Sequence, residues 1–293
     1  MSFCRHLGLT LACTGILASG AASAQEAAKL SGHVDLVSRY ILRGVSTTYG
    51  PSAPGAGNAG ADAPESDKAA LQLGADWSHP SGFYLGYFGS TINYSYKRLG
   101  QSYSDRSIAD FQNDKSIEND LYGGYTGKLG DFGYTVGLTG YVYINGKNAN
   151  AFETKLGLSY GDFSVNAQTL LKDVVWGNKG DTYWTLNYTT GLPYDITLNA
   201  SLGYYSYKKE GKFLGTVDTL TGSACPAGQS FFDNGCFAGE APIGGGFRHL
   251  IVGITQPIGQ TGLTWGVQGL IGGDNRFGIK QKNKLLASLS YGF

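Results

Sequence analysis

The sequence predicts an all-β protein, a 12-stranded antiparallel transmembrane β-barrel with short periplasmic turns and long extracellular loops. Three observations carry that prediction. Apolar side chains recur at every second position in segment after segment, the period of a strand with one greasy and one wet face. The connections between these segments alternate between long and short, about 23, 22, 7, 9, 41 and 10 residues against about 4, 5, 2, 7 and 7, the loop asymmetry of outer-membrane barrels. Composition agrees, with 46 Gly, 20 Tyr and 14 Phe but a single Met, which suits closely packed strands better than helices.

The first residues, MSFCRHLGLTLACTGILASGAASAQ, place Arg5 in a short basic start, then an apolar run from Leu7 to Leu17, then Ala22-Ser23-Ala24. This is the layout of a secretory signal peptide over 1–24, cleaved before Gln25. The remaining chain, 25–293, is read as one barrel, and no apolar run in it approaches the ~20 residues of a membrane-spanning helix. Loss of Arg5 leaves 21 basic against 22 acidic residues, so no field of one sign invites nucleic acid.

Leu30 to Gly44 opens the pattern, with Leu30, Val34, Leu36, Tyr40 and Leu42 on one face and His33, Asp35, Arg39 and Arg43 on the other. A Gly, Pro and Ala rich connection over 45–67 lacks the bulk to pack a core. Lys68 to Ser78 alternates Leu71, Leu73, Ala75 and Trp77 against Gln72, Gly74 and Asp76, and turns at His79-Pro80-Ser81-Gly82. Phe83 to Tyr94 is apolar on both faces, so its outward side is not assigned. After a polar connection to about Ser116, Ile117 to Thr126 sets Glu118, Asp120 and Tyr122 opposite Leu121 and Tyr125.

Phe132 to Asn145 is the best-formed strand. Phe132, Tyr134, Val136, Leu138, Val142 and Ile144 alternate with a second face, Tyr141 and Tyr143 included, that holds no aliphatic residue. Phe152 to Tyr160 puts Glu153 and Lys155 behind Phe152, Leu156 and Leu158, and Gly161-Asp162 is a two-residue hairpin turn. Phe163 to Lys172, Thr182 to Tyr188 and Ile196 to Tyr205 continue the alternation. The longest connection, 206–246, holds Cys225 and Cys236, an even pair in an oxidising compartment. Phe247 to Thr255, Leu263 to Ile271 and Lys284 to Phe293 complete twelve strands.

An aromatic girdle is expected at the short-turn end from Trp77, Tyr125, Phe132, Tyr134, Tyr160, Phe163, Tyr188, Trp265, Tyr291 and Phe293. Tyr40, Phe152, Trp184 and Tyr204 would mark the opposite interface.

Two resemblances add to this reading. The last strand, with Leu289, Tyr291 and Phe293 alternating to the end of the sequence, resembles the closing strand of bacterial outer-membrane barrels. That likeness implies a signal read by the barrel assembly machinery, and a setting of outer-membrane lipid and lipopolysaccharide. The runs LSGHVDLVSRYILRGVSTT (30–48) and LQLGADWSHPSGFYLGYFGS (71–90) resemble the TorF-type porins of proteobacteria. Their pattern falls on Tyr40, Arg43, Gly44 and Ser46, then on Ser81-Gly82-Phe83-Tyr84 and Gly89-Ser90. The resemblance implies an outer-membrane porin-like role and names no solute.

Twelve strands tilted by ~40° at ~4.8 Å spacing give a backbone cylinder about 24 Å across, leaving roughly 12 Å between side chains. Small solutes are then the expected cargo. The candidate pore-lining residues are Asp35, Arg39, Arg43, Asp76, Glu118, Asp120, Glu153, Lys155, Lys172, Arg248, Lys282 and Lys284, with Arg39, Arg43 and Arg248 as a cationic ladder. Opposed acidic and basic rows would polarise the lumen. Mutual pairing that braces a narrow barrel is the alternative for each of them.

No cofactor or metal is expected. Asp233-Asn234-Gly235 is a turn signal without the spaced carboxylates of a calcium loop. None of His33, His79 and His249 stands beside an evident nucleophile with an acidic partner, so the expectation is a barrel that is not an enzyme. A non-conducting barrel working through its long loops as an adhesin, receptor or structural protein is the alternative function. A disulfide between Cys225 and Cys236 would restrain its loop by about 2 to 3 kcal/mol.

Overall fold

The computed structural model describes residues 27–46, 65–105, 107–108, 111–224, 244–276, 278 and 280–293. The expected signal peptide over 1–24, Cys225 and Cys236 fall outside them. Twelve strands form one closed antiparallel barrel: β1 (Lys29–Val37), β2 (Ala70–Ser78), β3 (Phe83–Tyr94), β4 (Gln112–Leu129), β5 (Phe132–Tyr143) and β6 (Ala151–Tyr160). The ring continues with β7 (Phe163–Leu170), β8 (Thr182–Gly191), β9 (Thr197–Ser206), β10 (Gly245–Pro257), β11 (Leu263–Gly272) and β12 (Lys284–Gly292). Each strand pairs with its neighbours in sequence, and β1 closes the ring on β12, with Val34 opposite Tyr291 and Leu36 opposite Leu289. Phe293 exchanges backbone hydrogen bonds of 2.8 and 3.0 Å with Gly32. Closure leaves no edge strand, the condition for a sheet to stand in hydrocarbon. No helix among the described residues is long and apolar enough to cross a membrane.

The period-two pattern maps onto the two surfaces of the wall. Leu71, Leu73, Leu85, Leu121, Val136, Leu138, Leu156, Leu158, Leu186, Leu202, Val252, Leu285 and Leu289 are exposed on the outside. Between them Gln72, Thr139, Glu153, Thr185 and Ser201 are buried on the inside. The aromatic girdle forms as ring contacts between neighbouring strands at the short-turn end. Phe83 meets Tyr125 at 5.2 Å, Phe132 meets Tyr160 at 5.0 Å, and Phe163 meets Tyr188 at 4.8 Å.

Strand β3 puts Phe83 and Leu85 outside, while Ile92 and Tyr94 are buried inside. Its double apolar character thus has a cause: the barrel holds a hydrophobic core at its long-connection end. Tyr94, Tyr96, Leu99, Tyr103, Phe111, Tyr143, Val174, Val175, Phe213 and Leu214 are all buried in it. All of these but Tyr94 and Tyr143 come from the connections. One connection contributes α1 (Tyr96–Ser102), capped by Ser95, whose Oγ accepts from the Arg98 N–H at 3.2 Å. Sequence reading missed this helix because it is only seven residues long and follows a strand of mixed faces.

Two boundaries need correction. β4 begins at Gln112, well before Ile117. β1 ends at Val37, not Gly44, and the chain beyond it turns into the barrel. Tyr40 is therefore not an outer-interface residue. It is 2% exposed and its hydroxyl donates to Glu118 Oε1 at 3.0 Å. Its parity continued that of β1 after the sheet pairing had stopped, so periodicity alone misplaced it.

Candidate functional site

The segment 38–46 leaves the sheet after Val37 and crosses the interior as a strap. Tyr40 packs edge-on to Phe88 of β3 at 6.0 Å. Ile41 joins Ile251, Leu270 and Leu286, aliphatic residues of β10, β11 and β12, in a second buried cluster. Leu42–Gly44 makes a single 3₁₀ turn, in which Arg43 has φ +52° and Gly44 φ +75°. Left-handed backbone is uncommon for a residue with a Cβ. At Gly44 there is a second demand, since a Cβ there would stand 2.7 Å from His249 Cβ. At the far end Ser46 Oγ donates to the Lys282 carbonyl at 2.8 Å, and its N–H donates to Gln281 Oε1 at 2.9 Å.

Arg43 occupies the middle of this crossing. Its guanidinium donates through Nη1 to Glu153 Oε1 at 2.8 Å and through Nη2 to Glu153 Oε2 at 2.5 Å. It also donates to the hydroxyls of Tyr205 at 2.7 Å and Tyr141 at 2.9 Å. The rings of Tyr183 and Tyr141 lie 4.9 and 5.8 Å from its Cζ. The Tyr141 hydroxyl in turn donates to Glu153 at 2.9 Å. A buried fork of this kind is held by every donor it uses, and removing one partner of such a pair costs about 3 to 5 kcal/mol.

Above Arg43 the arginine and tyrosine side chains continue as a column on the β8 to β10 wall. Arg248 Nε donates to the Arg43 carbonyl at 3.0 Å, and its Cζ lies 5.7 Å from the Tyr205 ring. Tyr205 stacks on Tyr207 at 4.8 Å, and Arg276 lies 4.7 Å from Tyr207 while pairing with Asp181. His249 shares a hydrogen bond of 2.6 Å with the Tyr183 hydroxyl.

The facing wall is acidic. Glu118 and Asp120 are buried there on β4, six strands from β10 in the ring, while Asp35 is buried on β1, three strands from either. Glu65, from the connection before β2, joins them and accepts from the Tyr96 hydroxyl at 2.6 Å. Burial pushes the Glu65 carboxyl well above the ordinary range, and the neighbouring Glu118 carboxylate adds to the shift. Towards the short turns, His33 Nδ1 lies 2.8 Å from Asp35, and Asp76 accepts from the Tyr122 hydroxyl at 2.6 Å.

Of the twelve candidate lining residues, Asp35, Arg43, Asp76, Glu118, Asp120, Glu153, Lys155 and Arg248 belong to this interior. Lys284 starts β12 on its inner parity. Arg39 is not a rung of an inner ladder: it sits outside the sheet and donates to the Asp67 carbonyl at 2.7 Å. Lys172 and Lys282 stand exposed in connections, beyond the ends of β7 and before β12. Arg276, Glu65 and the tyrosine cage were missed. The inward tyrosines Tyr141 and Tyr205 were visible on the non-aliphatic strand faces, whereas Arg276 and Glu65 carry no periodic signal at all.

No curated protein matches the chain in sequence. Solved structures similar to it include the Salmonella typhi outer membrane phospholipase dimer with bound calcium, at 10% identity and a TM-score of 0.38, covering 88% of each chain. Another is Salmonella typhi OmpF in complex with daunomycin, at 10% identity and a TM-score of 0.36, covering 91% of this chain and 97% of that one. A third is Pseudomonas aeruginosa OccK5 (OpdH), at 11% identity and a TM-score of 0.34, covering 79% and 59%. No residue role is carried over at these similarities. The expectation of a barrel without enzymatic activity is nevertheless overturned, because phospholipase barrels and porins both stand among the similar structures. A family model described as "Bacterial protein of unknown function (Gcw_chp)" matches residues 21–224, and the chain belongs to that family.

Proposed function

We propose that the protein is an outer-membrane porin-like channel for passive diffusion of small solutes or ions. The observation that carries this reading is the polarised interior, with Glu118 and Asp120 buried on β4 and Arg248 buried on β10, six strands away across the barrel. Opposed charges inside a narrow barrel orient and select a passing solute. The exposed apolar belt and its aromatic girdle support residence in a membrane. The likeness of Tyr40, Arg43, Gly44 and Ser46 to the TorF-type porin pattern supports the same reading, since these are the residues of the strap. Export by the 1–24 leader, assembly through the closing strand at Leu289, Tyr291 and Phe293, and a Cys225 to Cys236 bridge belong to the proposal. So does contact with lipid and lipopolysaccharide.

A specific observation favours a second reading. The aromatic core at the long-connection end fills the mouth of the barrel, as in a non-conducting barrel that works through its surface loops. Planar-bilayer recording of the folded protein and of its Arg43→Ala variant separates the two. Discrete current steps from either are the expected result, and silence from both overturns the channel in favour of the second reading.

A further inference from the structure

The strap has the construction of a part that can be displaced. It is not one of the twelve strands. Its backbone is tied at its start, by the Ser38 N–H to the Ala287 carbonyl at 2.9 Å and by a two-bond bridge between Tyr40 and Ser66. Beyond that its wall contacts come largely through the side chains of Tyr40, Ile41, Arg43 and Ser46. Arg43 and Gly44 hold left-handed backbone, and at Arg43 this conformation persists only because the surroundings over-determine it. Glu153 supplies most of that determination, together with the hydroxyls of Tyr141 and Tyr205. Arg43 Nε is buried and makes no hydrogen bond, so the bonds from Nη1 and Nη2 to Glu153, Tyr141 and Tyr205 are what hold the guanidinium.

The ion pair also has a consequence for charge. While the strap is seated, Arg43 neutralises Glu153 in the middle of the lumen. Once it leaves, Glu153 of β6 is bared on the same side as Glu118 and Asp120 of β4, opposite Arg248 of β10.

Building on the channel reading, we infer that Arg43 is both the latch that holds the lumen closed and the residue that sets its ion preference. Releasing the strap opens the barrel, and removing the arginine charge leaves the opened path selective for cations. Replacing the partner carboxylate opens the barrel equally and tips the preference the other way, towards anions.

The test pairs conductance with chemical access. Arg43→Ala, Arg43→Lys and Glu153→Gln are reconstituted in planar bilayers. A Ser201→Cys reporter, placed where Ser201 is 1% exposed on β9, is carried in each with Cys225 and Cys236 replaced by Ser. A cationic, membrane-impermeant methanethiosulfonate is applied from the long-connection side, and heat-modifiable gel mobility confirms a folded barrel. The expected result is open-channel occupancy and reporter labelling about a hundredfold or more above the parent in Arg43→Ala and Glu153→Gln, the least that losing one partner of a buried pair implies. Their reversal potentials move in opposite directions. Arg43→Lys keeps the charge and loses the fork, so it raises occupancy with little change in selectivity. Conductance and labelling equal to the parent in all three folded variants would overturn the latch. Equal direction of the reversal shift in Arg43→Ala and Glu153→Gln would overturn its role in selectivity. Labelling that rises while every variant stays silent would uphold the strap and remove the channel reading on which its charge role rests.

Discussion

The two ends of the barrel are built on different principles. At the short-turn end the tight order is on the outside, in the ring of aromatic pairs from Phe83 and Tyr125 round to Phe163 and Tyr188. Its interior is polar and only partly buried, as at Asp76, Tyr122 and Asn166. At the long-connection end the order is on the inside, where Tyr94, Leu99, Phe111 and Leu214 are almost fully buried. The sheet supplies part of this inner core and the connections supply the rest. A barrel in lipid gains nothing from burying its outward apolar residues against protein, so the packing that resembles a soluble core moves to the end where chain is available to fill the lumen.

The comparison breaks most sharply at Leu99. This side chain of α1 is 0% exposed, so Leu99→Ala leaves a cavity in the plugged end and is expected to cost about 2 to 5 kcal/mol of local stability. Proteolysis at the long-connection end should accelerate while the strands stay protected. The same truncation at Leu138, exposed on the outside of β5, leaves space that acyl chains can enter, so the penalty should be markedly smaller. Equal protease sensitivity in the two variants would mean that the inner cluster contributes no cohesion of its own.

This contrast also explains what the sequence made legible. Lipid imposes one rule on every outward position, so Val136, Leu138, Leu156 and Leu158 announce their face by alternation alone. The interior obeys no comparable rule. Parity brought Arg43, Glu118, Glu153 and Arg248 into one list of inward charges, but the pairing of Arg43 with Glu153, 110 positions apart, follows from how the strap folds back. Leu286 is the one aliphatic residue on the inward parity of β12, and Ile251 and Leu270 are its counterparts on β10 and β11. Three inward aliphatic side chains on adjacent strands were the trace of Ile41, unreadable until the register of β10, β11 and β12 aligned them.

The second test of the comparison is a pH profile. Glu65, 2% exposed among Tyr96, Tyr40, Glu118 and Asp120, binds its proton more tightly folded than unfolded. The stability this adds is full below the ordinary carboxyl value of about 4.3 and is lost as pH rises through the raised folded value. The plugged end should therefore loosen towards alkaline pH, and Glu65→Gln, which cannot ionise, should flatten that dependence. Protease resistance of the long-connection end followed from pH 5 to 9 checks it. An unchanged slope in the variant would assign the titration to another group.

The smallest effect belongs to the outer ring of the short-turn end. Phe132 and Tyr160 lie 5.0 Å apart at 32° between their planes, both more than half exposed on the outside of adjacent strands. Aromatic pairs of this kind couple by about 0.5 to 1.5 kcal/mol beyond their buried area. A double-mutant cycle on Phe132→Leu and Tyr160→Leu, read from unfolding in lipid bilayers, should return a coupling in that range. The Leu99→Ala cost should exceed it severalfold, because a girdle ring keeps lipid contacts when its partner goes, whereas the cavity at Leu99 has no solvent able to fill it without meeting apolar walls. A coupling as large as the Leu99 penalty would show that the two ends share one cooperative packing, and the division between outer and inner order would fall.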